Sequence, residues 1–411
     1  MNKIKTNKIV KSALMFVVLM GIVSLFSDMT HEGAKSIYGA YLSLAGASAA
    51  TIGFVTGFGE FIGYSFRLIA GIYTDRKKNY WTMTIIGYSI NMLAIPALAL
   101  IPKNGWIFAC GLIIFERMGK AIRYPAKNTL VSFAATQVGE GKSFAIQEFL
   151  DQIGAFLGPV MLFLVLLLKK GGDLYTLYSL CFAILIIPAL FCLFFLFLAK
   201  RKFPNPENFD KSTESNTKLY IQKSFILYII AISLLALGFA DFPLITMHIA
   251  RKALIATEML PLLYSGAMII DAFSALFFGW LYDHKGIRIL MISSAISAMF
   301  SIFIFRYTSL TTAIIGIAMW GIGMGAQESI LKSAVTSIVP KGNRGTGFGF
   351  FETSFGIFWF LGSWTMGILY DVSPNYLVLF SVITQLSAIP FFYLTWNRIN
   401  KERKKYNLIY C

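Results

Sequence analysis

Four charged residues, Glu116, Lys120, Arg123 and Lys127, recur at i, i+4, i+7 and i+11, and so share one face of one helix. A short polar turn leads to Glu148 and Asp151, three apart on the next helix, which runs on as Gly154-Ala-Phe-Leu-Gly158-Pro159. Both charged runs continue into apolar sequence long enough to cross a bilayer. One charge at the centre of a membrane helix costs about 2.5–3.5 kcal/mol on insertion scales, so such side chains face partners or a watery cavity. There, carboxylates and bases can exchange protons, lock helices together or hold a charged solute.

Upstream, Asp28, His31, Glu32 and Lys35 fall at i, i+3, i+4 and i+7. About fifteen apolar residues precede Asp28, which at about 1.5 Å per residue places it about 24 Å into the membrane. Asp241 reaches a similar depth in a later span. Two such carboxylates could bind a cation or carry protons, or Glu32 could close an outer ion pair with Lys35 or Arg67. One histidine with two carboxylates and no thiolate is a thin ligand set, so no metal or other cofactor is expected. Glu60 lies near mid-depth of the second span, with Arg67 two turns further on the same face. A gating role is expected for Asp75, Arg76, Lys127 and Glu148 in the first half, where Arg123 and Asp151 lie at the same level and are also proton or substrate candidates, and for Asp283, Lys332, Arg344 and Glu352 in the second. Asp271 and Glu328 complete the acids inside spans, which exceed the bases there by three and leave carboxylates able to titrate. Trp320, Trp359, Trp364 and Tyr124 could stack on an aromatic solute or simply fill the bundle.

The elements that must position these groups are membrane helices. Of 411 residues 57% are hydrophobic and 14% charged, against about 25% charged in a soluble domain. Apolar stretches fall at 12–34, 48–72, 80–101, 105–131, 143–168 and 174–199, then at 223–249, 256–282, 286–305, 308–338, 343–370 and 374–396. This predicts an all-α membrane bundle of twelve transmembrane helices. Residues 1–199 form an N-terminal six-helix half, 200–222 a cytoplasmic linker, and 223–411 a C-terminal half with a basic tail. The net charge of +16 is concentrated in alternate connections. That places both termini in the cytoplasm by the positive-inside rule and excludes a nucleic-acid partner. Cys110, Cys181, Cys192 and Cys411 show neither metal-ligand nor disulfide spacing. The first apolar segment lacks a small-residue cleavage site and reads as an uncleaved span.

The halves repeat. Gly71-Ile-Tyr-Thr-Asp75-Arg76-Lys77 matches Gly279-Trp-Leu-Tyr-Asp283-His284-Lys285, and Phe144, Glu148, Leu157 and Gly158 match Phe348, Glu352, Leu361 and Gly362 at an offset of 204. Two pseudo-symmetric halves around a central cavity are a transporter architecture. The repeat breaks where Arg123-Tyr124 aligns with Gln327-Glu328, which marks Arg123 and Glu328 as recognition candidates. Gly321, Gly323 and Gly325 lie within a span with no preceding strand, so they are not a nucleotide loop.

On the Gly71–Asp75–Arg76 loop and the Gly154–Gly158–Pro159 segment, the chain resembles the major facilitator superfamily over nearly its whole length. Ser27-Asp28-Met-Thr-His31-Glu32, with Gly119-Lys120-Ala-Ile-Arg123-Tyr-Pro125-Ala-Lys127, is similar to a group of prokaryotic facilitators, and the helix-5 segment to part of the drug:proton antiporter motif. Lys78-Asn79 and Leu162-Phe163 depart from the family's loop and helix-5 patterns. The resemblance implies a secondary active transporter, not an enzyme. It would be a monomer in a prokaryotic inner membrane, moving a small solute by alternating access, with proton coupling and export favoured. Two alternatives are an organic-anion or phosphate-ester exchanger using Arg117, Lys120 and Arg123, and a non-transporting membrane receptor or scaffold.

Overall fold

The structure is a computed structural model that describes residues 2–169, 172–209, 223–307, 309–339 and 344–407. Among these, regular structure is entirely helical. The first half of the chain holds α1 (Asn2–Leu44), α2 (Ala49–Lys77), α3 (Tyr80–Ala97), α4 (Trp106–Val138), α5 (Glu140–Leu168), α6 (Leu174–Ile184) and α7 (Ile186–Lys202). The second holds α8 (Lys223–Gly238), α9 (Phe242–Arg251), α10 (Leu260–Lys285), α11 (Ile289–Ala298), α12 (Leu310–Ile338), α13 (Arg344–Val372) and α14 (Pro374–Asn407).

Nine described stretches are long and apolar enough to cross a bilayer. α2 and α4 fall outside that set, because Glu60 and Arg67 interrupt one and five charges interrupt the other. The 50-residue stretch Thr257–Arg306 holds both α10 and α11. The count of twelve therefore rests on reading those helices as spans of their own.

Three expected spans are interrupted, each for a local reason. The sixth parts at Leu185, where Pro188 has no N–H to give the carbonyl one turn back. The seventh opens over Phe239–Asp241, and Asp241 restarts the helix by accepting the Phe242 N–H at 3.0 Å. The ninth ends at Ala298 and finishes in a wider turn, Ile302–Arg306.

The chain divides into two compact units. One takes Met1–Ala47, Ile62–Glu214 and Glu258–Ser265; the other takes Ser48–Phe61, Ser215–Thr257 and Gly266–Cys411. Residues 210–222 of the expected linker lie outside the described residues. Within the first unit, α1 and α5 touch backbone to backbone. A methyl at Gly154 would stand 2.2 Å from the Leu25 carbonyl oxygen, and one at Gly158 2.1 Å from that of Met29. The second unit repeats the contact: a methyl at Gly362 would stand 2.2 Å from the Leu237 carbonyl oxygen. Without a hydrophobic force between helices in lipid, such close approach supplies the packing attraction. α3 and α4 approach in the same way at Gly87 and Gly119.

Candidate functional site

That close approach of α3 and α4, with α1 laid beside them, brings the charged face of α4 into the interior of the first unit. Glu116 and His31 are fully buried, Arg117, Arg123, Lys35 and Lys127 nearly so. His31 Nδ1 lies 2.8 Å from Glu116 Oε1, and its Nε2 lies 3.8 Å from Glu32 Oε1. One imidazole therefore stands between two carboxyl groups. Asn91 of α3 donates its amide to Glu116 Oε1 and, at 3.3 Å, to the Glu116 carbonyl. Arg117 Nε sits 3.5 Å from Glu116 Oε2. Glu32 accepts the hydroxyl of Tyr264, from the start of α10, and its side chain keeps 15% of its surface open.

One turn deeper, Arg123 donates to Ser27 Oγ at 2.9 Å and lays its guanidinium 4.2 Å from the Tyr88 ring centroid. Ser27 Oγ approaches Asn91 Oδ1 at 3.5 Å, which joins this layer to the Glu116 layer. Lys127 donates to Ser24 Oγ, and the same hydroxyl is within reach of the Asp151 carboxylate. Asp28 is half-buried, with Asp151, Lys120, Arg123 and Glu32 as its neighbouring charges. A polar line of α1, α3, α4 and α5 side chains thus runs along the first unit's interior. Removing one partner from a buried pair is costly, because the survivor stays uncompensated in low dielectric.

A family model described as the Major Facilitator Superfamily matches residues 11–363 and 242–407. The chain belongs to the Major Facilitator Superfamily. An uncharacterized protein of Mycobacterium bovis is 34% identical over 384 residues, covering 92% of each chain. An uncharacterized MFS-type transporter of Methanocaldococcus jannaschii is 26% identical over 382 residues, covering 91% of this chain and 93% of its own. Among solved structures, a nucleoside transporter shares the fold with TM-score 0.74 at 13% identity, covering 93% of this chain and 99% of its own. This member of the superfamily is an integral, multi-pass membrane protein.

Its expected site residues are dispersed through both units. Asp28, Glu32, Arg123, Lys127 and Asp151 join the buried line. Arg67 instead stacks on aromatic rings, 4.1 Å from the Tyr124 centroid and 4.8 Å from that of Tyr64. Glu148 is exposed and accepts from Gln152 at 3.3 Å; Arg76 is exposed as well. In the second unit Asp241 is buried as the cap of α9, Asp271 is buried on α10, and Glu60 and Glu352 are half-buried. Glu328, Lys332 and Asp283 are exposed. The side chains of Asp75 and Arg344 lie outside the described residues.

The sequence does not mark the His31–Glu116 pair as a unit or single out Asn91, Ser24 and Tyr264, and it offers Ser27 only as the first residue of the Asp28–Glu32 run. The only signal for the polar partners was a run of Ser and Asn within apolar helices, which is ordinary in membrane proteins.

Proposed function

We propose that this chain is a secondary active transporter that moves a small solute across a prokaryotic plasma membrane by alternating access, coupled to protons. The observation that carries the reading is His31 set between Glu32 and Glu116. A neutral imidazole donates from one nitrogen and accepts at the other; Nδ1 lies close enough to Glu116 to exchange a proton with it, whereas the 3.8 Å gap from Nε2 to Glu32 must close before a proton can pass from that side. Glu32, partly open, is the entry; Glu116, fully buried beside Arg117 and Asn91, is the store. Loading Glu116 removes the negative charge that holds Arg117 and His31, so proton occupancy biases how the first unit is held together. Asp28 and Asp151 extend the titrating set toward Lys127. Both termini are assigned to the cytoplasm, and export is the favoured direction from the Gly154–Pro159 segment.

The test is reconstitution in vesicles carrying an internal pH dye, with a panel of small solutes. Wild type should move protons with one solute. Glu116→Gln and His31→Gln should move that solute down its own gradient without protons. Equal proton movement in those variants removes the pair from the mechanism, and solute exchange with no proton movement in wild type favours an exchanger instead.

A further inference from the structure

The break between α8 and α9 in the second unit is a finished piece of structure. The Gly238 carbonyl accepts from Ser381 Oγ at 2.7 Å and from Gln385 Nε2 at 2.9 Å. The Ala240 carbonyl accepts from Trp320 Nε1 at 2.9 Å, and Asp241 caps the restart. Opened backbone at membrane depth is tolerated only when its groups are met in this way or line a cavity. Phe239, at the break, turns its ring toward Trp359 of α13, centroids 5.5 Å apart, and Trp359 stands 5.4 Å from Phe355.

Two buried polar side chains are left out of the hydrogen bonding: Trp359, within this aromatic group, and Gln327, on the α12 face one turn beyond the point where that helix meets Phe239. Gln327 of α12 is 6% exposed, and neither its amide nitrogen nor its amide oxygen has a hydrogen-bond partner among the described residues. Trp359 is 4% exposed, and its indole N–H is in the same position. Gln327 lies one turn along α12 from Gly323, where a methyl would meet the Phe239 ring at 3.0 Å. A buried amide of the same unit and the aligned residue of the other half are met more fully. Gln385, fully buried in the same unit, accepts from Ser297 at 2.6 Å and donates to Gly238 and to Ser381. Arg123, which aligns with Gln327 in the repeat, has Ser27 and Tyr88. A buried donor or acceptor left unmet costs about 1–3 kcal/mol, so three such atoms around one group of rings call for something that meets them.

We propose that Gln327 and Trp359, with the faces of Phe239 and Phe355, form a solute subsite for an uncharged planar ring bearing an N–H beside a C=O. A carboxamide side chain pairs with such an edge through both of its polar atoms, as it does with a base edge. The indole N–H supplies a third contact to an acceptor on the ring, and the aromatic faces take the plane. The polar groups that meet the ring, an amide and an indole N–H, are neutral, which matches an uncharged solute; Glu352, three residues before Phe355 and seven before Trp359 on α13, is half-buried and already partnered. Asp271 lies against Gly325, two residues from Gln327 and so on roughly the opposite side of α12, and Glu328 is exposed. This proposal deepens the transport reading and rests on it.

The test uses the full chain in lipid nanodiscs without any gradient, so that loss of proton coupling cannot be mistaken for loss of binding. Uracil, hypoxanthine and nicotinamide are the probes; glucose, choline and benzoate are the comparisons. Thermal unfolding and tryptophan fluorescence read binding. At least one probe should raise Tm and perturb the fluorescence, and the comparisons should do neither. Gln327→Leu, with Gln327→Met as the second variant if the first fails to fold, should weaken that probe about tenfold or more. Its Tm without probe should be unchanged or higher, because an unmet buried amide has been removed. Trp359→Phe, which keeps a ring, should weaken the probe by a smaller factor. Four results overturn the proposal: no probe binding at millimolar concentration, a comparison binding in a Gln327-dependent way, wild-type affinity in Gln327→Leu, or a lower unliganded Tm for both Gln327 variants.

Discussion

Glu116 meets His31, Asn91 and Arg117 from one buried position, and the variants that replace it separate charge from packing. Glu116→Ala deletes a fully buried carboxyl group and leaves His31, Arg117 and Asn91 facing the gap. Breaking a buried pair in this way costs about 3–5 kcal/mol, so the variant should unfold at a markedly lower temperature in detergent. Glu116→Gln keeps the volume and a hydrogen-bonding oxygen, so it should lose much less stability while losing proton-coupled flux. A double replacement, His31→Leu with Glu116→Leu, should recover part of the stability lost by either single change, since it removes both members of the pair. If the two single effects simply add, the residues are not coupled and the relay has no basis. The sequence put Glu116 on the right face with Lys120, Arg123 and Lys127. It could not show that His31 would meet it, because that depends on how α1 is rotated against α4. Neither helix encodes that rotation by itself. For the same reason Arg67, expected beside acids, is found over Tyr64 and Tyr124.

Helices here meet through glycines, and not every glycine of a run is used. In the second unit, methyls at Gly53 and Gly57 would stand 2.2 Å from the Ser363 carbonyl oxygen and 2.9 Å from the Ser363 Cβ, so this end of α2 lies tight on α13. At Gly63 of the same run nothing stands within 4 Å. Gly158→Ala should therefore destabilise by about 1–3 kcal/mol, read as a fall in Tm, because the Met29 backbone cannot yield as a side chain would. Gly63→Ala should be neutral or slightly stabilising. Equal Tm for the two variants would mean that α1 and α5 are not in contact at Gly158. A second device at this scale is Asp371, near the end of α13, which accepts the Ala49 N–H at 3.1 Å and the Ala50 N–H at 2.8 Å, with Arg251 3.8 Å away. It caps the start of α2 from 322 positions along the chain. Asp371→Ala should cost about 0.5–2 kcal/mol of stability, and Asp371→Asn less. No pattern in the sequence joins those two places, whereas the close contacts at Gly158 and Gly362 could be read from the repeat. The interruption at Asp241 was half legible: Pro243 and Gly238 are written in the sequence, but the apolar run across them reads as one span.

At the scale of the molecule, the repeat is kept in the backbone and dropped in the chemistry. Gly158 and Gly362 make the same contact in their own units, yet Arg123 donates to Ser27 and lies over Tyr88, whereas its counterpart Gln327 is a buried amide with no hydrogen-bond partner among the described residues. A duplicated scaffold that divides proton handling and solute recognition between its copies needs one fixed orientation in the membrane, because a proton gradient has a direction. Its basic residues are proposed to supply that orientation. Arg76, Lys77 and Lys78 close α2, and Lys200, Arg201 and Lys202 close α7, all exposed. The positive-inside rule then assigns the connections that carry basic clusters to the cytoplasm, and this orientation is what cysteine labelling tests. Lys103 and Lys252, also exposed, follow spans of the opposite direction as single residues or pairs. In a chain with Cys110, Cys181, Cys192 and Cys411 replaced by serine, Lys78→Cys and Lys200→Cys should react with an impermeant maleimide only after the membrane is opened. Lys103→Cys and Lys252→Cys should react in intact cells. Labelling in the reverse sense would invert the bundle, and Glu32 would then take its protons from the cytoplasm.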